Sequence, residues 1–135
     1  MPKPPVVADL TWERGLVFHA ESAGRTMVID GDSAAGPSPV QALVFSLGGC
    51  MAADVVFMLT KGRHAPERLG LHVVAERAQE NPHRVLKASL HFTIAGDAPD
   101  EAIDRAIALS REKYCSVWHS MRQDIPLAVT WRRNR

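Results

Sequence analysis

Hydrophobic and polar residues follow two periods along this chain, and one of them predicts a long helix over Ser38–Leu59. Within that segment the large apolar residues recur at steps of three and four, as on one face of an α-helix. Ser38 can cap free N–H groups, the following proline presets φ, and Gln41 can reach back to the serine. We expect the helix to end near residues 61–63, which include a glycine. Cys50 lies on the apolar stripe, so its thiol should point inward.

The second period is an alternation of apolar and polar residues, which predicts strands on both sides of the helix. It is strictest over Leu86–Ile94, where one face should be buried and the other wet. The expected buried positions there are Leu86, Ala88, Leu90, Phe92 and Ile94. Other strands are predicted at residues 9–20, as two short strands or one bent strand, and at Arg25–Asp30, Leu69–Gln79 and residues 125–131.

Helical spacing returns after Pro99, where Asp100 and Glu101 favour the start of a second helix. Three apolar residues and one serine recur at helical spacing on one face of this helix; they are Ile103, Ala106, Ile107 and Ser110. Tyr114 and Cys115 continue or follow this helix, and another helical piece is expected over residues 116–122.

The order of these elements predicts an α+β fold with segregated strands. Short turns join neighbouring strands, so we expect antiparallel pairing. At 135 residues the chain fits a single domain over residues 1–135, which is long enough to bury a core without disulfides.

The charge balance indicates neither a nucleic-acid-binding protein nor one that binds an anionic membrane. Sixteen basic and 15 acidic residues give a net charge of +1, and they are scattered along the chain. The basic end, Trp131–Arg135, is expected to be a solvated tail.

A cytoplasmic location is expected because the first residues lack the apolar core of a secretory signal. Both cysteines should then rest as thiols. Val40–Leu59 is also long enough, at about 1.5 Å per residue, to cross a bilayer core of roughly 30 Å. Asp54 and the Gly48-Gly49 pair dilute this run, so we favour a buried helix in a protein without a membrane span.

Cys50 and Cys115 are far apart in sequence, and their spacing alone does not show that they meet. Each can serve as a small core hydrophobe. If they do meet, a peroxide could convert one thiolate to a sulfenic acid, which the other thiol could condense with to release water.

Asp54 follows Cys50 by one helical turn, and a carboxylate there disfavours a thiolate unless a cation neutralises it. The candidate cations are Arg14, Arg25, Arg111 and Lys113.

A metal site is a weaker alternative. Cys115 and His119 have i, i+4 spacing and Cys50 could add a third ligand, but the other histidines form no ligand pattern. The chain has no Ser-His-Asp elbow, phosphate loop or dinucleotide-binding fingerprint.

The segments around the two cysteines resemble those of a known family. The first segment combines Ser38-Pro39, the run L-G-G-C ending at Cys50 and A-D-V-V beginning at Ala53; the second is L-S-R-E-K-Y-C-S-V, residues 109–117. In this order, over nearly the whole chain, they resemble the OsmC/Ohr family of osmotically inducible and organic hydroperoxide resistance proteins. The G-G-C and E-K-Y-C-S-V motifs are similar to a less characterised OsmC-like branch.

The resemblance implies an intertwined homodimer whose antiparallel sheets wrap around long central helices, with two active sites at the subunit interface. It also implies thiol-dependent reduction of hydrophobic organic hydroperoxides, with Cys50 as the peroxidatic and Cys115 as the resolving thiol. A dithiol, such as a lipoylated protein, would be the reductant, and no metal, flavin or haem would be required. The apolar residues expected around the first thiol are Phe45, Met51, Phe57 and Met58.

Val40 departs from the family pattern. In the well-studied peroxidases a glutamate at this position pairs with an arginine that holds the first thiolate. The matching arginine is Arg25, with Arg14 as the second choice. Without the glutamate, a non-catalytic protein that binds a hydrophobic small molecule or senses oxidants is the alternative function.

Overall fold

The computed structural model describes residues 3–134, which divide into two units, the first through Leu43 and the second from Val44. The first unit holds a three-stranded antiparallel sheet of β1 (Asp9–Arg14), β2 (Val17–Ser22) and β3 (Arg25–Asp30), in that order. Two short strands therefore replace the alternative of one bent strand. They are joined at Gly15, whose φ of 51° is in the left-handed region that glycine tolerates.

Helix α1 (Pro39–Lys61) begins with the predicted capping box. The backbone N–H of Gln41 donates to Ser38 Oγ at 3.1 Å, and the backbone N–H of Ser38 donates to Gln41 Oε1 at 2.8 Å. These two bonds satisfy donors that have no partner within the helix. After its last turn the chain reverses at Arg63, with φ 65°, rather than at the preceding glycine, and His64 N–H donates to Leu59 O at 2.8 Å.

The second unit contains a mixed sheet in the order β4 (Arg68–Arg77), β5 (Val85–Ala95) and β6 (Leu127–Arg133). Strands β4 and β5 are antiparallel, whereas β5 and β6 are parallel. The predicted α+β class is confirmed, but antiparallel pairing is wrong for this last pair. The connection from β5 to β6 carries α2 (Asp100–Leu109) and α3 (Ser116–His119), so it is long enough for the crossover that parallel strands need.

One residue of the predicted buried face of β5 lies on the opposite side. Ala75 pairs with Ala88 and Glu76 with Lys87, but Arg77 then pairs with Val85, which skips Leu86. This β-bulge places Val85 in the core and leaves Leu86 42% exposed. The alternation is confirmed at the other four positions, all of which are buried.

The core of the second unit forms where α1 packs with the sheet and α2. Four residues of the helical stripe are buried in one hydrophobic cluster together with Phe92 and Ile103; they are Leu47, Met51, Val55 and Leu59. Helix α1 is long and apolar enough to cross a membrane. The core helix of a soluble protein can have the same length and composition. Its packing in this cluster supports the buried-helix interpretation.

The basic C-terminal end is not a solvated tail, because Trp131, Arg132 and Arg133 form the last part of β6. Trp131 Nε1 donates to Asp104 Oδ1 at 2.7 Å. The Arg133 guanidinium donates to the carbonyls of Gly96 and Ala98 and to Asp100 Oδ1, at 2.7–2.9 Å. These bonds tie the last strand to the start of α2. Arg135 lies outside the described residues.

Candidate active site

The two cysteines meet in the second unit. The Sγ atoms of Cys50 and Cys115 and a carboxylate oxygen of Asp54 all lie within 4.8 Å of one another. Helix α1 supplies Cys50 and Asp54 one turn apart, so their side chains project to the same side. Both cysteines are free thiols.

A π-helical turn, Ser110–Tyr114, brings Cys115 to this cluster. In an α-helix, residues five apart differ by about 140° around the axis, which would turn Cys115 away from the side of Ser110. Here the Cys115 N–H donates to Ser110 O at 2.8 Å, and this wider turn returns the chain to nearly the same side. Both side chains are consequently buried, each with 0% exposure.

Ser110 is the site residue that the sequence reasoning did not identify. Its Oγ donates to Asp54 Oδ2 at 2.8 Å, which links α1 to the π-helical turn and orients the carboxylate beside the thiols. The available signal was a polar residue on the otherwise apolar stripe of the second predicted helix. Such a residue needs a hydrogen-bond partner once buried, but the sequence does not say which.

The Cys115 thiol is stabilised in its protonated form. Burial, the largest cause, together with the neighbouring Cys50 and the Asp54 carboxylate, raises the pKa of Cys115 to about 11. The N–H of Trp118 donates to Cys115 Sγ at 3.4 Å and opposes this effect. Cys50 is only half-buried and is therefore the more accessible of the two thiols.

Of the four candidate cations, Arg111 and Lys113 belong to residues 44–134, and neither pairs with Asp54 there. Arg111 and Lys113 are exposed, Lys113 lies 5.3 Å from the centre of the Tyr114 ring, and no ion pair in this range includes Asp54. In the first unit, Arg25 is the exposed first residue of β3, and Arg14 forms an ion pair with Glu13. Within the second unit, the side-chain partner of Asp54 is the neutral hydroxyl of Ser110 and not a cation.

His119, which the i, i+4 spacing paired with Cys115 as a possible metal ligand, is not part of the cluster. It is exposed, and its Nε2 lies 3.0 Å from the carbonyl oxygen of Arg111. A carbonyl only accepts, so Nε2 is the donor in this contact, and only Nδ1 keeps a lone pair. Asp54 supplies the third donor beside the two thiols instead.

A cavity of about 730 Å³ borders the cluster at Asp54. Phe57 and Met58, two of the four expected apolar residues, line it. Met51 is fully buried in the core, and Phe45 borders a separate groove near β4. The cavity wall is mainly apolar but includes the basic side chains of Lys61 and Arg105.

A family model for OsmC-like protein matches residues 30–130 of the chain. The chain belongs to the OsmC-like family. This OsmC-like protein is 42% identical over 113 residues to Protein YhfA of Escherichia coli strain K12, and the match covers 82% of this chain and 84% of YhfA. The family resemblance inferred from the cysteine motifs is thus confirmed.

Solved structures share the fold at low sequence identity. An OsmC-like protein from Mycoplasma pneumoniae has a TM-score of 0.85 and 15% identity, covering 99% of this OsmC-like protein and 100% of that chain. An organic hydroperoxide resistance protein OsmC from Legionella pneumophila has a TM-score of 0.68 and 16% identity, covering 97% and 98%. Both similarities cover nearly all of each chain, and at these identities they show the fold.

Proposed function

We propose that this OsmC-like protein is a thiol-dependent peroxidase that reduces organic hydroperoxides, with Cys50 as the peroxidatic and Cys115 as the resolving thiol. The observation that carries the proposal is the approach of the two Sγ atoms to within 4.8 Å. A disulfide requires a distance of about 2.05 Å, so modest side-chain movement is enough to join them. Cys50 takes the first role because Cys115 is fully buried and its pKa is about 11.

In the proposed cycle, the Cys50 thiolate attacks the distal oxygen of the hydroperoxide. An S–O bond forms, the O–O bond breaks, and the departing alkoxide takes a proton to become an alcohol. Cys115 sulfur then attacks Cys50 sulfur; the disulfide forms, the S–O bond breaks, and the hydroxyl leaves as water with the Cys115 proton. An external dithiol, such as a lipoylated protein, reduces the disulfide by thiol–disulfide exchange.

The name of the Legionella pneumophila neighbour, an organic hydroperoxide resistance protein, supports this substrate class. Val40 occupies the position where the family resemblance leads us to expect a glutamate, so the proposed site lacks that acidic partner for an arginine. Arg25 remains our proposed cation for the first thiolate, with Arg14 as the alternative.

The two-thiol mechanism predicts a specific product of single turnover. One equivalent of cumene hydroperoxide should convert reduced protein to a species with an intramolecular Cys50–Cys115 disulfide, because the resolving thiol is already adjacent to the sulfenic acid. Mass spectrometry of peptides prepared without reductant measures this product.

The matched control is Cys115→Ser, which should accumulate sulfenic acid at Cys50 that a dimedone probe can trap. Overoxidised Cys50 beside an unmodified Cys115 in the wild-type protein would contradict the resolving role.

We also propose a homodimer. In the first unit, the strand register places one apolar row on a single face of the sheet: Leu10, Trp12, Phe18, Ala20, Met27 and Ile29. Leu10, Trp12 and Met27 remain exposed in the single chain. In the second unit, α1 exposes Val56 and Phe57. Exposed apolar surface of this kind is typical of interaction sites, and a second copy of the chain is the partner that the family resemblance implies.

Introducing a charge on the exposed face of α1 should convert the dimer to monomers. Val56→Glu places a carboxylate in the proposed apolar contact, where its desolvation is unfavourable. Light scattering after size-exclusion chromatography measures the mass. Val74→Glu on β4 is the matched control, since Val74 is 43% and Val56 37% exposed. A monomeric wild-type protein, or equal effects of both substitutions, would contradict the proposed interface.

A ligand-binding or oxidant-sensing protein is the second candidate, favoured by the mainly apolar cavity beside Asp54. This function predicts retention of a lipid-like ligand and a Cys50 that reacts with hydroperoxide no faster than free cysteine does. A fast reaction of Cys50 would favour the peroxidase. For either function we propose a cytoplasmic location, where the two thiols would stay reduced.

A further inference from the structure

We propose that Cys50, Asp54 and Cys115 form a binding site for a thiophilic divalent cation of the zinc class. The proposal does not depend on peroxidase activity, because it concerns the reduced resting protein. It rests on three donor atoms, two from α1 and one from the residue after the π-helical turn, that lie within 4.8 Å of one another.

The distances suit tetrahedral coordination. Zinc–sulfur bonds are about 2.3 Å and zinc–oxygen bonds about 2.0–2.2 Å, so ligand atoms around one ion lie roughly 3.5–3.8 Å apart. No two donors are more than 4.8 Å apart, which exceeds that spacing by about 1.3 Å at most, and one turn of α1 already holds two of them together. Little rearrangement is therefore required to close the site on an ion.

The donor types select a borderline-soft metal. Two thiolates and a carboxylate suit Zn²⁺ or Co²⁺, whereas Mg²⁺ and Ca²⁺ prefer sites made entirely of oxygen ligands. Binding would displace the two thiol protons to solvent, and the dication would offset two of the three negative charges of the thiolates and the carboxylate. No ion pair at Asp54 competes for the carboxylate within residues 44–134.

Ser110 provides the outer contact that metal ligands commonly have. Its hydroxyl donates to Asp54 Oδ2 and leaves Oδ1 available to the ion. The adjacent cavity reaches Asp54, so water or a small ligand has access to the fourth position. A bound ion would be coordinated by both sulfur atoms. The Cys50–Cys115 disulfide could therefore not form while the ion is bound.

Anaerobic titration of the reduced protein with Co²⁺ tests the site without any hydroperoxide. We expect one ion per chain, thiolate-to-cobalt charge-transfer absorption in the near ultraviolet, and displacement of cobalt by one equivalent of Zn²⁺. Cys50→Ser or Cys115→Ser should weaken this absorption. Ser110→Ala should reduce cobalt affinity by about 10–100-fold, as loss of an outer contact does. Asp54→Asn should reduce it at least as much.

The matched control is His119→Ala, which removes the ligand of the alternative Cys-Cys-His set and should leave cobalt affinity unchanged. Asp54→His replaces the carboxylate oxygen with a nitrogen donor and should retain the charge-transfer absorption, which separates lost ligation from lost folding. The proposal is wrong if the wild-type protein shows no thiolate-to-cobalt absorption, if Asp54→Asn binds as tightly as the wild type, or if only His119→Ala abolishes binding.

Discussion

Cys50→Ser should reduce hydroperoxide consumption to background, a loss of roughly 10⁴-fold or more, as expected when a catalytic nucleophile is removed. Serine has almost the same shape as cysteine, but its hydroxyl is far less ionised and does not form a sulfenic acid. The measurement is the disappearance of cumene hydroperoxide in the presence of a dithiol. Undiminished turnover by this variant would refute the assignment.

Cys115→Ser is the comparison that separates the two thiols. It retains Cys50, so the first equivalent of hydroperoxide should still be consumed at nearly the wild-type rate. Sustained turnover should fall, because the sulfenic acid then has no internal partner. If both variants lose the first reaction equally, Cys115 acts in the initial attack and the proposed division of roles is wrong.

Leu90→Ala should lower the free energy of unfolding by about 2–5 kcal/mol, whereas Leu86→Ala should cost roughly 1 kcal/mol or less. Both leucines are in β5, but Leu90 is fully buried and Leu86 is 42% exposed. The larger loss is a substantial share of a typical total stability of about 5–15 kcal/mol. Urea denaturation at one fixed protein concentration measures the difference, because dimerisation would make stability concentration-dependent.

This pair of substitutions also tests the β-bulge. Strict alternation along β5 would bury both leucines and make the two losses similar. The bulge at Leu86 instead directs its side chain to the opposite face. Equal destabilisation by the two substitutions would therefore contradict the register that the structure shows.

Local chemistry made several elements predictable. The hydroxyl of Ser38 and the amide of Gln41 are three residues apart, and the capping bonds between them depend on little beyond the helix start itself. The strand Arg25–Asp30 and the buried stripe of α1 likewise follow from short-range periodicity. Each of these predictions concerns residues only a few positions apart.

The parallel pairing of β6 was beyond such reasoning. The alternation of apolar and polar residues predicts that Leu127–Arg133 is a strand. It does not predict which strand β6 pairs with, or whether the pairing is parallel. The same holds for Trp131 and Arg133, whose bonding partners lie about 30 residues earlier. Charge at a chain end suggested exposure, whereas the tertiary contacts make these side chains part of the fold.

By itself the sequence determined the long helix, its capping box, most strands and, through the two cysteine motifs, the family. Only the tertiary structure decided that Cys50, Asp54 and Cys115 meet and that Ser110 holds the carboxylate. The physical reason is that the i, i+5 turn after α2 and the packing of that segment on α1 join residues more than 50 positions apart. Periodicity reports which face of an element is buried, but contacts between distant elements depend on how the whole second unit packs.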